Sequence, residues 1–217
     1  MTEKGTNDMW RIAMRLAGEG GQGVGLAAAV LAEAALLSGH EVSMLQSYGP
    51  EARGGASSAD VVISDRQIAN PKVNQADLLL ILNQTSWNKF ARPPWRTPTT
   101  VVVAEEGRVR LDGSNPGVLR LPFERIAREE LREKLVANML AVGAVGALIG
   151  CMSSSSLVEA GLARSPAAFR AVNKDAIERG WDLVTSGPDL VSLRGLLAGL
   201  GAPVVKESAE PVLVGTP

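Results

Sequence analysis

The residues with the clearest potential for chemistry in this chain are glycines. Gly18, Gly20 and Gly23 keep the spacing G-x-G-x-x-G within GEGGQGVG, and Gly21 and Gly25 are further glycines of the same stretch. Glycine reaches positive φ and allows close backbone approach, so such a loop can gather amide N–H groups around a ligand or a neighbouring backbone. Helical composition follows at once from Val24 to Ser38, and a helix there would point its partly positive N-terminus at the same place. Gln22, set between two glycines, puts a polar amide nearest to whatever the loop packs against.

A nucleotide is the first chemistry to test. A dinucleotide site needs an acidic residue about 20 residues further on, at the end of the second strand, to hold ribose hydroxyls. The second strand candidate, Glu41 to Gln46, has its acid at the beginning, and Glu51 lies well into the next loop. The missing acid weakens a stand-alone Rossmann-like dinucleotide oxidoreductase. A Walker-type phosphate loop is excluded, because no Gly-Lys-Ser/Thr follows.

A second loop is more unusual. Tyr48-Gly49-Pro50-Glu51-Ala52-Arg53-Gly54-Gly55 carries one guanidinium followed by two glycines. Loops after successive parallel strands open on the same edge of a sheet, so this one is expected beside the first. Arg53 would then offer a fixed fork for carboxylate or phosphate near clustered backbone donors. Taken alone, Arg53 can equally pair with Glu51 or with an acid on a partner chain while the glycines turn the backbone. Taken with the first loop, a shared ligand or a subunit edge is the better reading. A free-standing module binding acyl-coenzyme A or a carboxylate through Arg53 is a further alternative. The remaining singletons read as structure. His40 sits in a polar turn without a base or metal partner nearby in sequence, and Cys151 at the end of an apolar helix has the pattern of a buried inert thiol. Asp60, Asp65 and Asp77 fall at strand margins, where acids cap or turn. No catalytic residue and no metal ligand is assigned.

The elements that must position these loops alternate in type. Trp10 to Ala17 is the first strand, and Gly39 stands where a C-cap would end the first helix. Ala59 to Ser64 is a third strand, followed by the turn Asp65-Arg66, and Ala76 to Leu82 is an apolar run suited to a central, doubly covered strand. A short helix from Thr85 must stop near Arg92, because Pro93 and Pro94 cannot continue it. Thr99 to Ala104 is another strand, which Glu106-Gly107 can turn into Arg108 to Leu111 as an antiparallel edge hairpin. Phe123 to Lys134 is a charged amphipathic helix, with Glu124 four residues before Arg128 and Arg125 four before Glu129. An apolar helix follows without an obvious break. Ser155 or Ser156 then caps Leu157 to Leu162, and Pro166 to Arg179 is closed by Gly180. The pattern predicts a three-layer α/β/α sandwich around a mostly parallel sheet. Residues 1–9 form an N-terminal arm and 10–186 the domain. Residues 187–217 form an extension with one short amphipathic piece, Leu190 to Leu200, and a loose tail from Glu207.

Composition narrows the function. The chain has 217 residues, enough for one generous domain, and a formal net charge of −1 without a basic block, which argues against nucleic acid. Aromatic residues make up only 4 %, so the core must be built from Ala, Val, Leu and Ile. One cysteine permits neither an internal disulfide nor an iron–sulfur cluster held by this chain alone, which would need about four thiolates. Leu135 to Val158 is free of charge, but its apolar part, Met139 to Met152, is shorter than the roughly 20 residues of a membrane span, and a buried helix is expected. Met1 to Asp8 is polar with both charge signs, unlike a secretory signal, and a cytoplasmic location is expected.

Together, GEGGQGV (Gly18 to Val24), SYGPEARGG (Ser47 to Gly55) and VVISDRQIANPKVNQADLLLIL (Val61 to Leu82) resemble the gamma subunit of 2-oxoacid:ferredoxin oxidoreductases, the pyruvate, 2-oxoglutarate, ketoisovalerate and indolepyruvate enzymes. The likeness continues through Asn138 and Asn173 and covers roughly Arg11 to Gly180. It implies a chain that binds no cofactor by itself, in a complex whose alpha- and beta-type subunits hold thiamine diphosphate and magnesium. A cysteine-rich chain would hold the iron–sulfur clusters. The complex would decarboxylate a 2-oxoacid oxidatively, pass the acyl group to coenzyme A and deliver electrons to ferredoxin. On the family's motifs, Gly18, Gly20, Gly21, Gln22 and Gly23 in one loop are expected to contact partner chains or the coenzyme A region. The same role is expected in the other loop for Tyr48, Gly49, Pro50, Glu51, Arg53, Gly54 and Gly55. The proline- and tryptophan-rich stretch ARPPWRTP, Ala91 to Pro98, departs from the family pattern. Trp95 and Arg96 there read as a partly covered surface pair, with a specific docking site as the alternative.

Overall fold

The computed structural model describes residues 10–47, 56–113 and 115–187, together with positions 193, 195 and 197. Among the described residues, six strands form one sheet flanked by six α-helices of defined bounds. They are β1 (Arg11–Glu19), α1 (Val24–Leu37), β2 (Glu41–Ser47), β3 (Ala56–Ser64), β4 (Leu78–Ile81), α2 (Gln84–Phe90) and β5 (Val101–Glu105). After these come β6 (Val118–Leu121), α3 (Phe123–Glu129), α4 (Ala137–Ile149), α5 (Ser154–Ala163) and α6 (Arg170–Thr185). The sheet order is β2-β3-β1-β4-β5-β6. β1, β4, β5 and β6 are parallel, while β3 runs against both its neighbours, β1 and β2. The α/β sandwich and mostly parallel sheet are therefore as the sequence predicts.

The antiparallel hairpin lies at the opposite edge from the one expected. It is β2 with β3, whereas Arg108 to Leu111 forms no strand. Glu105 carbonyl accepts from the Arg108 and Val109 N–H groups at 3.3 and 3.0 Å, which curls the chain off the sheet. The edge beside β5 is taken by β6, a short strand after Asn115-Pro116-Gly117 that sequence inspection missed.

Alternation along β1 divides the core. Ile12, Met14 and Leu16 face α1, α4 and their neighbours, while Ala13 and Ala17 face α2 together with Val73, Ala76 and Val109 from connecting segments. Arg15 lies between those alanines and is held by Asp60 directly opposite on β3, in a bidentate pair at 2.7 and 2.8 Å. Its guanidinium also lies 5.1 and 5.5 Å from the Phe90 and Trp95 ring centroids. Asp60 is thus an interior strand partner, not a marginal cap. Trp95 meets Phe90 edge to face at 5.4 Å, and Arg96 donates to the Pro116 carbonyl at 3.1 Å, so both belong to the packing of this face.

The helices show where apolar sequence leads. α4 is buried along almost its whole length, and no helix among the described residues is long and apolar enough to cross a membrane. It crosses α6 at very short range. A Cβ on Gly143 would strike the Ile177 carbonyl, and one on Gly180 would strike the Leu140 carbonyl. Gly180 therefore lies inside a helix running from Arg170 to Thr185, rather than closing one at Arg179. α5 is capped by Ser153, whose hydroxyl accepts from the Ser156 N–H at 3.1 Å, two or three residues earlier than expected.

The expected continuous helix from Phe123 into the apolar stretch is broken. α3 ends at Glu129, Arg132 adopts a φ of 58°, and a short 3₁₀ turn (Lys134–Val136) leads into α4. The i,i+4 pairs on α3 do not form either. Glu124 binds Arg108 at 2.9 Å, and Arg128 binds its neighbour Glu129 at 2.9 Å. In the C-terminal extension, positions 193, 195 and 197 are helical, and Leu193 and Leu197 are buried in the main core. The remainder of the Leu190 to Leu200 piece, the tail and the N-terminal arm lie outside the described residues.

Candidate functional site

The glycine loop begins where β1 leaves the sheet. Its glycines divide by environment. A Cβ on Gly18 would meet the Gln22 side-chain oxygen at 2.8 Å and Val24 at 2.9 Å, and one on Gly23 would strike the Asn138 amide. These two serve close packing. Gly20 and Gly21 face open space, and Gly21 has a φ of 92° that a larger residue adopts only with strain. Gly23, at a φ of 70°, is the N-cap of α1, and no side chain caps that helix.

Gln22 is a brace. Its side-chain oxygen accepts from the Glu19 N–H at 2.7 Å and from the Asn83 amide at 3.2 Å, and its amide donates to the Leu82 carbonyl at 3.3 Å. Asn83 in turn accepts from the Ser86 N–H at 2.8 Å and so caps α2. On the far side, the Asn138 amide reaches the Gly23 carbonyl at 3.4 Å. The loop is thus tied to the end of β4 and the start of α4, with two glycines left free.

Beside it lies a cavity of about 280 Å³, at the carboxyl ends of β4 and β5. This is where ligands gather in open α/β sheets. Gly21, Gln22 and Asn138 border it on one side, Leu82, Phe123 and Ala137 form apolar wall, and Arg108, Arg128 and Lys134 bring positive charge. Glu105 sits at its base. Burial pushes that carboxyl above the usual range, opposed by the N–H groups of Gly107 and Glu124, which donate to it at 3.1 and 3.0 Å. Glu105 therefore caps the start of α3 and holds Glu124 where it can pair with Arg108, whose guanidinium is held more firmly charged by that contact. Sequence inspection missed Asn83 and Glu105 as site residues. Each directly follows, or ends, an apolar strand at its carboxyl end, a position that could have singled them out.

The second loop's residues, Tyr48, Gly49, Pro50, Glu51, Arg53, Gly54 and Gly55, lie outside the described residues. Its two anchors are described. Ala56 pairs with Glu19 and Ser47 with Ser58, so both ends of that segment leave the sheet at the edge where the glycine loop leaves it. The strand geometry also speaks against a dinucleotide crevice. The neighbour of β1 on that side is β3, which runs antiparallel and carries its carboxyl end to the opposite edge. The carboxyl end of β3, where a dinucleotide site keeps its acid, is therefore not beside the glycine loop. Gln46, at the end of β2, packs against Gly25 instead.

The singletons are structural. His40 shares a hydrogen bond with the Cys151 carbonyl at 2.7 Å and meets Trp10 edge to face at 4.9 Å. Burial pushes the Cys151 thiol up to about 12, so it is inert at neutral pH. Asp77 accepts from the Ala13 N–H at 2.7 Å, and Asp65 from that of Trp10 at 3.3 Å. Among the described residues no group of three or more side chains is placed to hold a metal ion.

Comparison with known proteins assigns this architecture. Residues 13–183 match the family model for pyruvate ferredoxin/flavodoxin oxidoreductase. The chain is 38 % identical over 177 residues to the 2-oxoglutarate synthase subunit KorC of Methanocaldococcus jannaschii, covering 80 % of this chain and 94 % of that one. The keto/oxoacid ferredoxin oxidoreductase gamma subunit of Geobacter sulfurreducens superposes with a TM-score of 0.71 at 34 % identity, over 79 % of this chain and 95 % of the other. The 2-oxoglutarate:ferredoxin oxidoreductase of Magnetococcus marinus, solved with 2-oxoglutarate, coenzyme A and succinyl-CoA bound, shares the fold. Its TM-score is 0.72 at 23 % identity, over 82 % of this chain and 32 % of that one. The chain belongs to the pyruvate ferredoxin/flavodoxin oxidoreductase family, as the gamma-type subunit of a multi-subunit 2-oxoacid:ferredoxin oxidoreductase.

Proposed function

We propose that this chain serves an active site assembled mainly by other subunits, contributing contacts to them and part of the region that receives coenzyme A. Alpha- and beta-type chains supply thiamine diphosphate and magnesium, and a cysteine-rich chain supplies the iron–sulfur clusters that lead to ferredoxin. The observation that carries the reading is the division among the loop glycines. Gly18 and Gly23 are filled by their own fold, whereas Gly20 and Gly21 leave backbone open at the carboxyl edge of the sheet. That edge also receives both ends of the Arg53 segment. Coenzyme A fits such an edge in part. A cavity of about 280 Å³ lies just below the roughly 300–1,000 Å³ typical of pockets for drug-sized ligands, so it takes a portion of so long a molecule while other chains take the rest. The relative from M. jannaschii is named as a 2-oxoglutarate enzyme, which makes 2-oxoglutarate the first substrate to try.

The test is Arg53→Ala in the assembled oxidoreductase. The expected result is a folded gamma chain with either weakened co-elution with its partners or a raised KM for coenzyme A. Unchanged assembly together with unchanged steady-state kinetics contradicts the proposal.

A further inference from the structure

We infer that the α2 side of the molecule, remote from the glycine loop, docks an acidic protein surface on another chain of the same oxidoreductase, with Lys89 and Arg92 meeting its carboxylates. The sequence concentrates charge here. No acid occurs between Asp77 and Glu105, whereas Lys89, Arg92 and Arg96 all fall in that interval. α2 follows the carboxyl end of β4, so the turn after it lies by the amino-terminal ends of β4 and β5, where the Ala76 N–H donates to the Trp95 carbonyl at 2.9 Å. Arg15 donates to the Val73 carbonyl at 3.0 Å and lies over the Phe90 and Trp95 rings, which brings the Lys72 segment to the same place. Lys72, Lys89 and Arg92 are exposed, and none of the three has an ion-pair partner among the described residues.

The same side carries the anchors that an interface needs. Trp87 and Trp95 are half-buried, and Arg96 is fixed over the Trp87 ring at 5.6 Å by its bonds to Asn115 and the Pro116 carbonyl. Tryptophan and arginine are the residues that protein interfaces favour at their centres. Exposed Pro93 and Pro94 restrict the backbone of the turn that carries Arg92, so less freedom is lost when that turn is covered. Charge complementarity names the occupant. Asp112, an exposed acid on the segment that Arg96 reaches through Asn115, leaves the cations in excess. A basic partner would be repelled, and an apolar one would leave the cations unpaired. Nucleic acid is disfavoured by the formal net charge of −1, whereas a separate subunit held in its complex by noncovalent contacts needs a surface of this composition. The inference rests on the chain acting within its complex and not on the role proposed for the two loops.

The experiment uses the complete oxidoreductase carrying Lys89→Glu with Arg92→Glu in this chain. The control is Arg170→Glu with Lys174→Glu on α6, an equal change of charge in the opposite helical layer. Affinity of this chain for its purified partner chains is measured at low and at high salt. The reversal is expected to weaken it roughly ten-fold or more at low salt, with the gap narrowing as salt rises. The neutral pair Lys89→Gln with Arg92→Gln should weaken it less and with the same salt dependence. The control should change it by less than about two-fold. Native affinity in the reversed variant overturns the assignment, even where the complex then binds nucleic acid or ferredoxin through these residues. An equal loss in the α6 control also overturns it, by making the effect one of net charge. If the reversal is silent while Arg53→Ala impairs the enzyme, this inference alone fails. If the reversal dissociates the complex while Arg53→Ala is silent, this surface stands and the role proposed for the Arg53 loop fails.

Discussion

At the residue scale, the carboxylates that reach into the interior are engaged in holding the fold. Glu105 caps α3, Asp60 grips Arg15 across two strands, and Asp77 accepts from the N–H of Ala13 on β1. Asp77 also carries a measurable signature, because burial raises its pKa above the ordinary 3.8. A carboxyl that binds its proton more tightly when folded weakens the protein as pH rises. Its penalty is absent below the ordinary value, grows through the raised folded value and is full at neutral pH. The native protein should therefore gain stability relative to Asp77→Asn as pH falls from 7 toward 4, read by urea denaturation of both proteins at each pH. A difference that runs the other way would contradict this account of Asp77. The glycine loop was legible at this scale because glycine spacing is local. The bracing of Gln22 by Asn83 and Leu82 was not, since those partners lie about sixty positions away in the chain.

At the element scale, the interior strands were read well, while the edge strand β6 and the breaks were not. Apolar runs such as Leu78 to Ile81 announce a covered strand whatever their partners. The α3–α4 junction does not announce itself, because no glycine or proline marks it and Arg132 carries the left-handed turn. The hairpin was placed at the wrong edge for a related reason: Glu106-Gly107 has turn chemistry, but pairing with β5 was already met by β6. Glycine misled once more at Gly180, where the requirement is contact between helices and not termination. Gly180→Ala should lower stability by about 2 kcal/mol through overpacking against the Leu140 carbonyl, even though alanine favours a helix by about 1 kcal/mol. Chemical denaturation measures this directly, and a stabilised variant would show that α4 and α6 are not in the contact described.

At the scale of the whole molecule, the sheet order sets this chain apart from a dinucleotide-binding fold. With β3 antiparallel beside β1, the strand that would carry the acid of a dinucleotide site ends at the edge opposite the glycine loop, a departure from the dinucleotide arrangement. Neither the lone cysteine nor the near-neutral charge would have identified the family. The combination of two loops did, and the match over residues 13–183 agrees with it. The sheet order itself was beyond sequence inspection, because strand adjacency depends on pairing between distant segments. The central claim is that this chain completes a reaction it does not perform alone. The most direct measurement is coenzyme A-dependent oxidation of 2-oxoglutarate coupled to ferredoxin reduction. It is made with the purified partner chains, first without this subunit and then with it added back. The account predicts turnover at least ten-fold lower without the subunit, restored when it returns in stoichiometric amount. Full coenzyme A-dependent turnover by the partner chains alone would contradict it.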